Sequence, residues 1–465
     1  MMYRKNAWEQ LAEGEKARLN AFADAYKKYL DAGKTERECV AESVRQAKEA
    51  GFVDMMELIR EGKAIKAGDR VYRNWMNKCF MAFVIGENDI ERGMNILGAH
   101  IDSPRIDVKQ NPLYEEENFA YLDTHYYGGI KKYQWVATPL ALHGVFCKKD
   151  GTTVILSVGE DENDPIFYIS DLLIHLAADQ MGKTAAKVVE GEQLNIIIGS
   201  EPVKENDKAS VKKAILAILK EKYDIEEEDF ISAEIEAVPA GKARDVGFDR
   251  SLIAGYGHDD RVCAYPSMAA VLDYEGTPAY TLCAVLTDKE EIGSVGATGM
   301  DAMYFENTMA ELCAAIKGED KPLTLRRCLQ NSRMLSSDVS AGYDPNFAGV
   351  FEKKNSAIVG NGVTFNKFTG RGGKSGSNDC NAEFVAQVRR ICDEANISWQ
   401  TAELGRVDVG GGGTIAYICA KYGMSVIDCG VPVLSMHAPW EVISKVDLWE
   451  EYKCYCAFLK GAAEY

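Results

Sequence analysis

The chain has 465 residues, more than a typical single domain holds, so its length predicts two or more domains. Hydrophobic residues make up 46% of it and charged residues 27%, the ordinary composition of a globular protein with a large core. The formal net charge of −18 argues against a nucleic-acid partner, and no run approaches the roughly 18 apolar residues that span a membrane.

The thirteen cysteines are scattered along the chain without a CxxC pair, and many lie in apolar runs. This pattern is typical of reduced core residues and disfavours a disulfide framework or a thiolate zinc site. The first seven residues lack the apolar stretch of a secretory signal. Both observations predict a cytoplasmic protein.

Apolar residues at helical spacing predict a helical region over residues 7–50, and short apolar runs predict strands at 81–85 and 94–98. From about residue 106 to 250, strand-like pieces at 153–158 and 194–198 alternate with turns, and one helix, expected to be acidic, spans about 210–223. After residue 255 the pattern predicts helices at 265–274, 307–317, 381–395 and 446–460, and strands at 280–287 and 425–429.

This rhythm predicts an α/β fold in which helices sandwich the central β-sheet of a catalytic domain. The change of texture predicts that a β-rich second domain interrupts it. The expected divisions are residues 1–105 and 251–465 for the catalytic domain and residues 106–250 for the inserted one.

Two adjacent acidic residues, Glu290 and Glu291, follow the apolar run at 280–287, which reads as a buried strand. In open α/β sheets the carboxyl ends of the strands face the ligand crevice, so both carboxylates are expected there. On an extended segment adjacent side chains point opposite ways, which allows one to bind a metal while the other handles protons. A solvated acidic turn is the alternative for such a pair taken alone.

Two glycine-rich stretches resemble nucleotide-binding loops but fail on spacing. The stretch 370–375 ends in the Gly-Lys-Ser of a phosphate loop, yet Phe368 stands where that motif requires its first glycine. In the stretch 410–414, Ile415 stands where a dinucleotide-binding loop has its last glycine. Nucleotide binding is therefore not expected.

Five segments far apart in the sequence offer carboxylate or imidazole groups at predicted strand ends or loops. They are His100 with Asp102, His258-Asp259-Asp260, Glu290-Glu291, Asp338, and His437. Such ligands suit zinc, cobalt or manganese, and two metals about 3.5–4 Å apart need about five of them, one bridging. Taken singly, each has an ordinary alternative as a strand-end histidine, helix cap, turn or core residue. Spacing alone does not assemble them.

Three of these segments resemble signature segments of the M18 family of metallo-aminopeptidases, the aspartyl aminopeptidase group. They are Gly98–Pro104, Asp288–Ser294 and Met436-His437, and the match runs in order over nearly the whole chain. The resemblance implies an α/β catalytic domain interrupted by a β-rich dimerisation domain. It also implies peptide substrates and homo-oligomeric assembly into a tetrahedral dodecamer.

The motif matches further imply two divalent metal ions, zinc or alternatively cobalt or manganese. His100 and Asp338 would bind one ion, and Glu291 and His437 would bind the other. Asp259 would bridge the two ions, with a cis peptide bond after it.

The same resemblance implies roles in catalysis. Glu290 would take the proton of a water held between the metals and pass it to the departing amine. Asp102 would hydrogen-bond the far nitrogen of His100 and fix its tautomer. His175, in the inserted domain, would reach a neighbouring subunit's site and steady the developing oxyanion. The alternative for His175 is a helix residue that faces its own domain.

The chain departs from the aspartyl-preferring members at two places. Those members carry an acidic and a basic residue after the tryptophan, whereas Trp135-Val136-Ala137 has neither charge. The loop 366–378 also differs, and its basic residues are Lys367, Arg371 and Lys374. These cations either meet an acidic substrate side chain or are solvated, so a neutral specificity is open beside an acidic one.

Two rival functions remain open on the sequence alone. A related two-metal carboxypeptidase or deacylase would need a cation for the substrate carboxylate, and the sequence does not locate one. A catalytically silent, self-assembling shell protein would have no need of Glu290 beside Glu291.

Overall fold

The computed structural model describes residues 6–203 and 209–464. In this part of the chain the α-helices are α1 (Glu15–Ala32), α2 (Glu36–Glu49), α3 (Met55–Arg60), α4 (Ala178–Met181), α5 (Ser210–Tyr223), α6 (His258–Leu272), α7 (Tyr304–Lys317), α8 (Pro322–Gln330), α9 (Ala382–Glu394), α10 (Ala416–Ala420) and α11 (Lys445–Gly461).

The strands of the same residues are β1 (Val53–Asp54), β2 (Arg70–Trp75), β3 (Cys79–Val84), β4 (Met94–His100), β5 (Arg105–Glu116), β6 (Phe119–Tyr127), β7 (Pro139–Cys147), β8 (Thr153–Val158), β9 (Phe167–Tyr168), β10 (Ile196–Gly199), β11 (Ala233–Pro239), β12 (Arg244–Val246), β13 (Leu252–Gly255), β14 (Thr281–Thr287), β15 (Arg333–Ser337), β16 (Ser340–Ala341), β17 (Val363–Asn366), β18 (Trp399–Thr401), β19 (Ser425–Gly430), β20 (Pro432–Val433) and β21 (Glu441–Ser444).

Contacts group the chain into two compact units. The first lies within the ranges Met1–Asp102, Ala243–Met436 and Glu441–Tyr465. The second comprises Ser103–Lys242 and His437–Trp440. The inserted domain at residues 106–250 stays a prediction from the sequence.

A nine-stranded sheet organises the first unit, in the order β1-β2-β3-β14-β4-β15-β19-β17-β18. Its central strands β14, β4, β15 and β19 are mutually parallel, so their carboxyl ends lie at one edge. In open α/β sheets that edge is where ligands bind.

Both faces of this sheet are covered by helices, as the alternation along β14 illustrates. Leu282, Ala284 and Leu286 pack in a core cluster with residues of α1, α2, α6, α9 and α11. Cys283 and Val285, which point the other way, pack in a second cluster with residues of α3, α7, α8 and α10. The predicted α/β fold with a sheet between helices is confirmed.

The second unit is built on antiparallel strands in the order β11-β5-β6-β10-β9-β7-β8. Strand β11 also pairs with β7, so the pairings form a closed circuit. Helix α5 is not the acidic helix expected there, because it carries four lysines beside Glu221.

The predicted helical region at 7–50 contains the two helices α1 and α2. The chain turns between α1 and α2, where Thr35 caps α2 by accepting the Glu38 N–H while the Glu38 side chain returns to the Thr35 backbone. Strands β2, β15 and β17 were not predicted from the sequence. Among the described residues, no helix is both long enough and apolar enough to cross a membrane.

Candidate metal centre

Three adjacent parallel strands carry predicted ligands at their carboxyl ends. His100 is the last residue of β4, and it pairs with Thr287, the last residue of β14. The segment with Glu290 and Glu291 follows β14, and Asp338 directly follows β15. Because these strands end at the same edge, the three segments meet there.

The His100 imidazole is 2% exposed and is engaged at both ring nitrogens. Its Nδ1 lies 3.0 Å from the carbonyl oxygen of Asp102 and 3.3 Å from its Oδ1, while Nε2 lies 3.2 Å from Asp259 Oδ1. A proton on Nδ1 leaves the Nε2 lone pair for a metal ion. Burial alone would lower the pKa of His100, but Asp102 and Asp259 raise it well above its ordinary value. The pocket therefore favours positive charge.

Asp259 and Asp260 lie at the start of α6 and are joined by a cis peptide bond. Both have non-helical backbone angles, so the regular helix begins after them. The Asp259 N–H donates to Glu441 Oε2 at 2.9 Å, and Asp260 Oδ2 accepts the His100 N–H at 3.3 Å. Sequence reasoning did not find Glu441 and named Asp260 only as one of the candidate ligand groups, because these contacts span 182 and 160 positions and leave no local pattern.

Glu290 and Glu291 lie on a 3-10 turn rather than on an extended segment. Lys289, just before the turn, has a left-handed φ of 67°. The N–H groups of Glu290 and Glu291 donate to Oδ1 and Oδ2 of Asp102, at 3.1 and 3.2 Å. The expectation that the two side chains point opposite ways from an extended chain is wrong, because this turn directs both toward one histidine.

The ligand atoms of these segments lie close together. Three sets each place one ligand atom per residue within 4.8 Å of the others: His100, Asp259 and Glu291; His100, Glu290 and Asp338; and Asp259, Asp260 and Asp338. Asp259 and Asp338 each belong to two sets, as a bridging carboxylate would, and His100 also belongs to two.

The chemistry of this cluster fits divalent cations. The three sets combine five carboxylates with one imidazole. Burial raises the pKa of Asp338 well above its ordinary value, and the charges of Asp260 and Glu290 raise it further. A bound cation offsets such repulsion, and nitrogen with carboxylate oxygen is a ligand set of zinc, cobalt and manganese.

Two predicted site histidines belong to the second unit. Nδ1 of His437 lies 2.9 Å from the carbonyl oxygen of Gly129, an arrangement that places the proton on Nδ1. His175 lies on an exposed 3-10 turn, Ile174–Leu176, which precedes the short helix α4.

The basic loop at 366–378 finds acidic partners within its own chain. The ammonium groups of Lys367 and Lys374 both pair with Asp379, the latter at 3.0 Å. Lys374 also lies 3.9 Å from the centroid of the Phe368 ring. Two of the three cations considered for an acidic substrate therefore share one carboxylate partner within the chain.

Comparisons with known proteins identify the family of the chain. The family model described as Aminopeptidase I zinc metalloprotease (M18) matches residues 29–459. A probable M18 family aminopeptidase 1 from Clostridium acetobutylicum is 55% identical over 98% of both chains. One of the same name from Thermotoga maritima is 42% identical over 99% of both chains.

Solved structures give the same result. The Thermotoga maritima M18 aminopeptidase matches with a TM-score of 0.95 and 41% identity, over 99% of this chain and 100% of the other. Aminopeptidase I from Clostridium acetobutylicum matches with a TM-score of 0.92 and 54% identity, over 99% of both chains. A Saccharomyces structure described as an mApe1 dodecamer, 19% identical over 94% of this chain and 96% of that one, shares the fold with a TM-score of 0.75. The chain belongs to the M18 family of zinc metallo-aminopeptidases, metal-dependent hydrolases that act on peptides.

Proposed function

We propose that this chain is a two-metal aminopeptidase that removes residues one at a time from the N-termini of peptides. The observation that carries the proposal is the position of Asp259, which lies with His100 and Glu291 in one set of ligand atoms and with Asp338 in another. A carboxylate shared between two such sets can contact two ions at once.

The proposed ligand sets come from the family motifs, because Asp338 is shared between two of the groupings as Asp259 is, and His437 is in none of them. His100 and Asp338 bind one ion, Glu291 and His437 bind the other, and Asp259 bridges them. Zinc is the proposed metal, with cobalt and manganese as alternatives, because mixed imidazole and carboxylate ligands accept all three.

Glu290 is the proposed general base. When bound, the ions lower the pKa of a coordinated water and polarise the scissile carbonyl. The Glu290 carboxylate, whose Oε2 lies 4.0 Å from His100 Nε2, accepts the water proton and returns it to the departing amine. Asp102 holds the Glu290 backbone and the His100 ring in place.

Self-association is the second part of the proposal. The turn with His175 presents exposed apolar side chains, namely Leu172, Leu173, Ile174 and Leu176, which are 47–68% exposed. Contiguous apolar surface of this kind typically marks an interaction site. We propose that a second copy of the chain covers this surface. His175 then steadies the oxyanion in the neighbouring site. The proposed full assembly is a tetrahedral dodecamer, as the dodecameric yeast relative supports.

The proposed substrates are peptides with neutral N-terminal residues. The pairing of Lys367 and Lys374 with Asp379 supports this, because an acidic substrate side chain would have to displace an existing partner. Initial rates on a panel of aminoacyl-anilides should favour neutral over acidic residues. A preference for aspartyl and glutamyl anilides would contradict the assignment.

We also place the enzyme in the cytoplasm, where the free thiols of its thirteen cysteines stay reduced.

Chelation tests the proposed activity. Removal of metal should abolish hydrolysis of an aminoacyl-anilide, and addition of zinc, cobalt or manganese should restore it. A peptide whose N-terminal amine is acetylated should resist cleavage, because the proposed activity requires a free amine. Release of C-terminal residues or of the acyl group from that peptide would instead indicate the related carboxypeptidase or deacylase. Absence of hydrolysis with every metal would indicate a silent shell protein.

A further inference from the structure

Helix α11 buries a carboxyl group that has no part in the proposed mechanism. Glu451 is 0% exposed. Burial raises its pKa to about 8, although the hydrogen bond with Tyr455 acts in the opposite direction. A buried carboxyl group without polar partners is destabilising, so the groups that contact Glu451 indicate its role.

The hydrogen bonds of Glu451 connect it to the end of β15, next to Asp338. The Tyr455 hydroxyl donates to Glu451 Oε1 at 2.8 Å, and Ser337 Oγ lies 2.7 Å from the same hydroxyl oxygen. A phenol has one proton, so when Tyr455 donates to Glu451 it accepts from Ser337. Ser337 is the last residue of β15, and Asp338 follows it. The carboxyl end of β15 is thus tied to α11. Glu451 therefore connects through one side chain, Tyr455, to a segment that carries a proposed metal ligand.

We propose that Glu451 is a positioning residue for the metal centre, acting through Tyr455 and Ser337. The inference rests on the proposed function, because it presupposes that Asp338 binds metal. Residues behind a metal ligand fix its orientation, and their loss typically weakens metal affinity about 10–100-fold.

The chain supplies a matched control in the preceding residue of the same helix. Glu450 is 2% exposed and is also hydrogen-bonded. Its carboxylate accepts the Ser398 N–H at 2.8 Å and pairs with Lys453 at 2.9 Å. Loss of Glu450 therefore removes a buried acid and its contacts without touching the connection to the metal centre.

The test measures zinc affinity of the metal-free protein by competition with a chromogenic chelator. Glu451→Met, which removes the acceptor for the Tyr455 hydroxyl, should weaken zinc binding about 10–100-fold. Glu451→Gln, which keeps an acceptor for Tyr455, should recover most of that affinity. Tyr455→Phe removes one hydroxyl at constant shape and should weaken binding in the same direction. Glu450→Met should retain wild-type zinc affinity even where its melting temperature falls.

Wild-type zinc affinity in both Glu451→Met and Tyr455→Phe would overturn the inference. So would an equal loss in Glu450→Met, because the effect would then follow general destabilisation. If Glu451→Met does not fold, Tyr455→Phe decides alone. Failure of the wild-type protein to bind zinc would overturn the proposed function itself, which separates the two results.

Discussion

Asp102 and Glu290 are joined by a hydrogen bond across 188 positions of the chain, from the Glu290 N–H to Asp102 Oδ1 at 3.1 Å. The second oxygen of the same carboxylate accepts the Glu291 N–H. Asp102 therefore fixes the turn that presents both glutamates, besides contacting the His100 ring. One carboxylate connects a proposed metal ligand to the proposed base.

Replacement of Asp102 by asparagine should weaken metal binding and slow turnover. An asparagine oxygen can accept only one of the two backbone N–H groups at the same geometry, and its amide group opposes the other donor. We expect the metal affinity and the turnover each to fall about 10–100-fold. Zinc titration and steady-state kinetics of Asp102→Asn measure these quantities. Wild-type values for both would show that Asp102 does not hold this turn in solution.

Glu290→Gln separates proton transfer from metal binding. Glutamine keeps the size of the side chain but cannot accept the water proton, so turnover should fall by at least about 100-fold. The metal content per subunit, measured by elemental analysis, should not change. Glu311→Gln, at an exposed position on α7, serves as the control. Near wild-type turnover in Glu290→Gln would refute the base assignment.

Mixing two inactive variants tests whether His175 acts in a neighbouring subunit. His175→Ala has an intact Glu290, and Glu290→Gln has an intact His175. If the histidine acts across subunits, co-assembly of the two variants places both groups in some of the sites, so part of the activity should return. Each variant assembled alone is the control. Full activity of His175→Ala, or no recovery on co-assembly, would favour a histidine that serves its own domain.

The pairing of α1 with α11 predicts a pH dependence of stability. Burial alone would raise the pKa of Glu15, but Lys453 and Trp449 lower it from 4.5 to about 2. A lowered pKa in the folded state stabilises the protein above about pH 4.5, and this contribution disappears as the pH falls toward 2.

Melting temperatures of the metal-free protein measure this effect. Glu15→Gln should melt below the wild type at pH 7, and the difference should shrink as the pH falls through 4 toward 2. Glu13→Gln, an exposed neighbour, should follow the wild type at every pH. A difference that stays constant down to the lowest pH would show that the Glu15 contacts do not depend on its charge.

The sequence predicted the parts of the fold that have a clear period. The apolar run of β14 and the amphipathic patterns of α7, α9 and α11 lie within a few residues of their expected bounds. Short strands such as β17, with four residues, give too little pattern to be recognised. The local turn of Glu290 was also missed, because the left-handed Lys289 before it has no signature in its residue type.

At the site, the sequence indicated the candidate metal ligands but not the residues that hydrogen-bond to them and hold them in place. His100, Asp259, Glu291 and Asp338 were chosen from segment chemistry and family motifs, and the fold places them near one another. The contact between Glu441 and the Asp259 backbone could not be predicted, because it joins two distant segments through tertiary packing alone.

An anomalous-scattering map of zinc-loaded crystals tests the two-metal account most directly. The account predicts two peaks about 3.5–4 Å apart, with one oxygen of Asp259 facing each. A single peak, or peaks that do not contact Asp259, would contradict it.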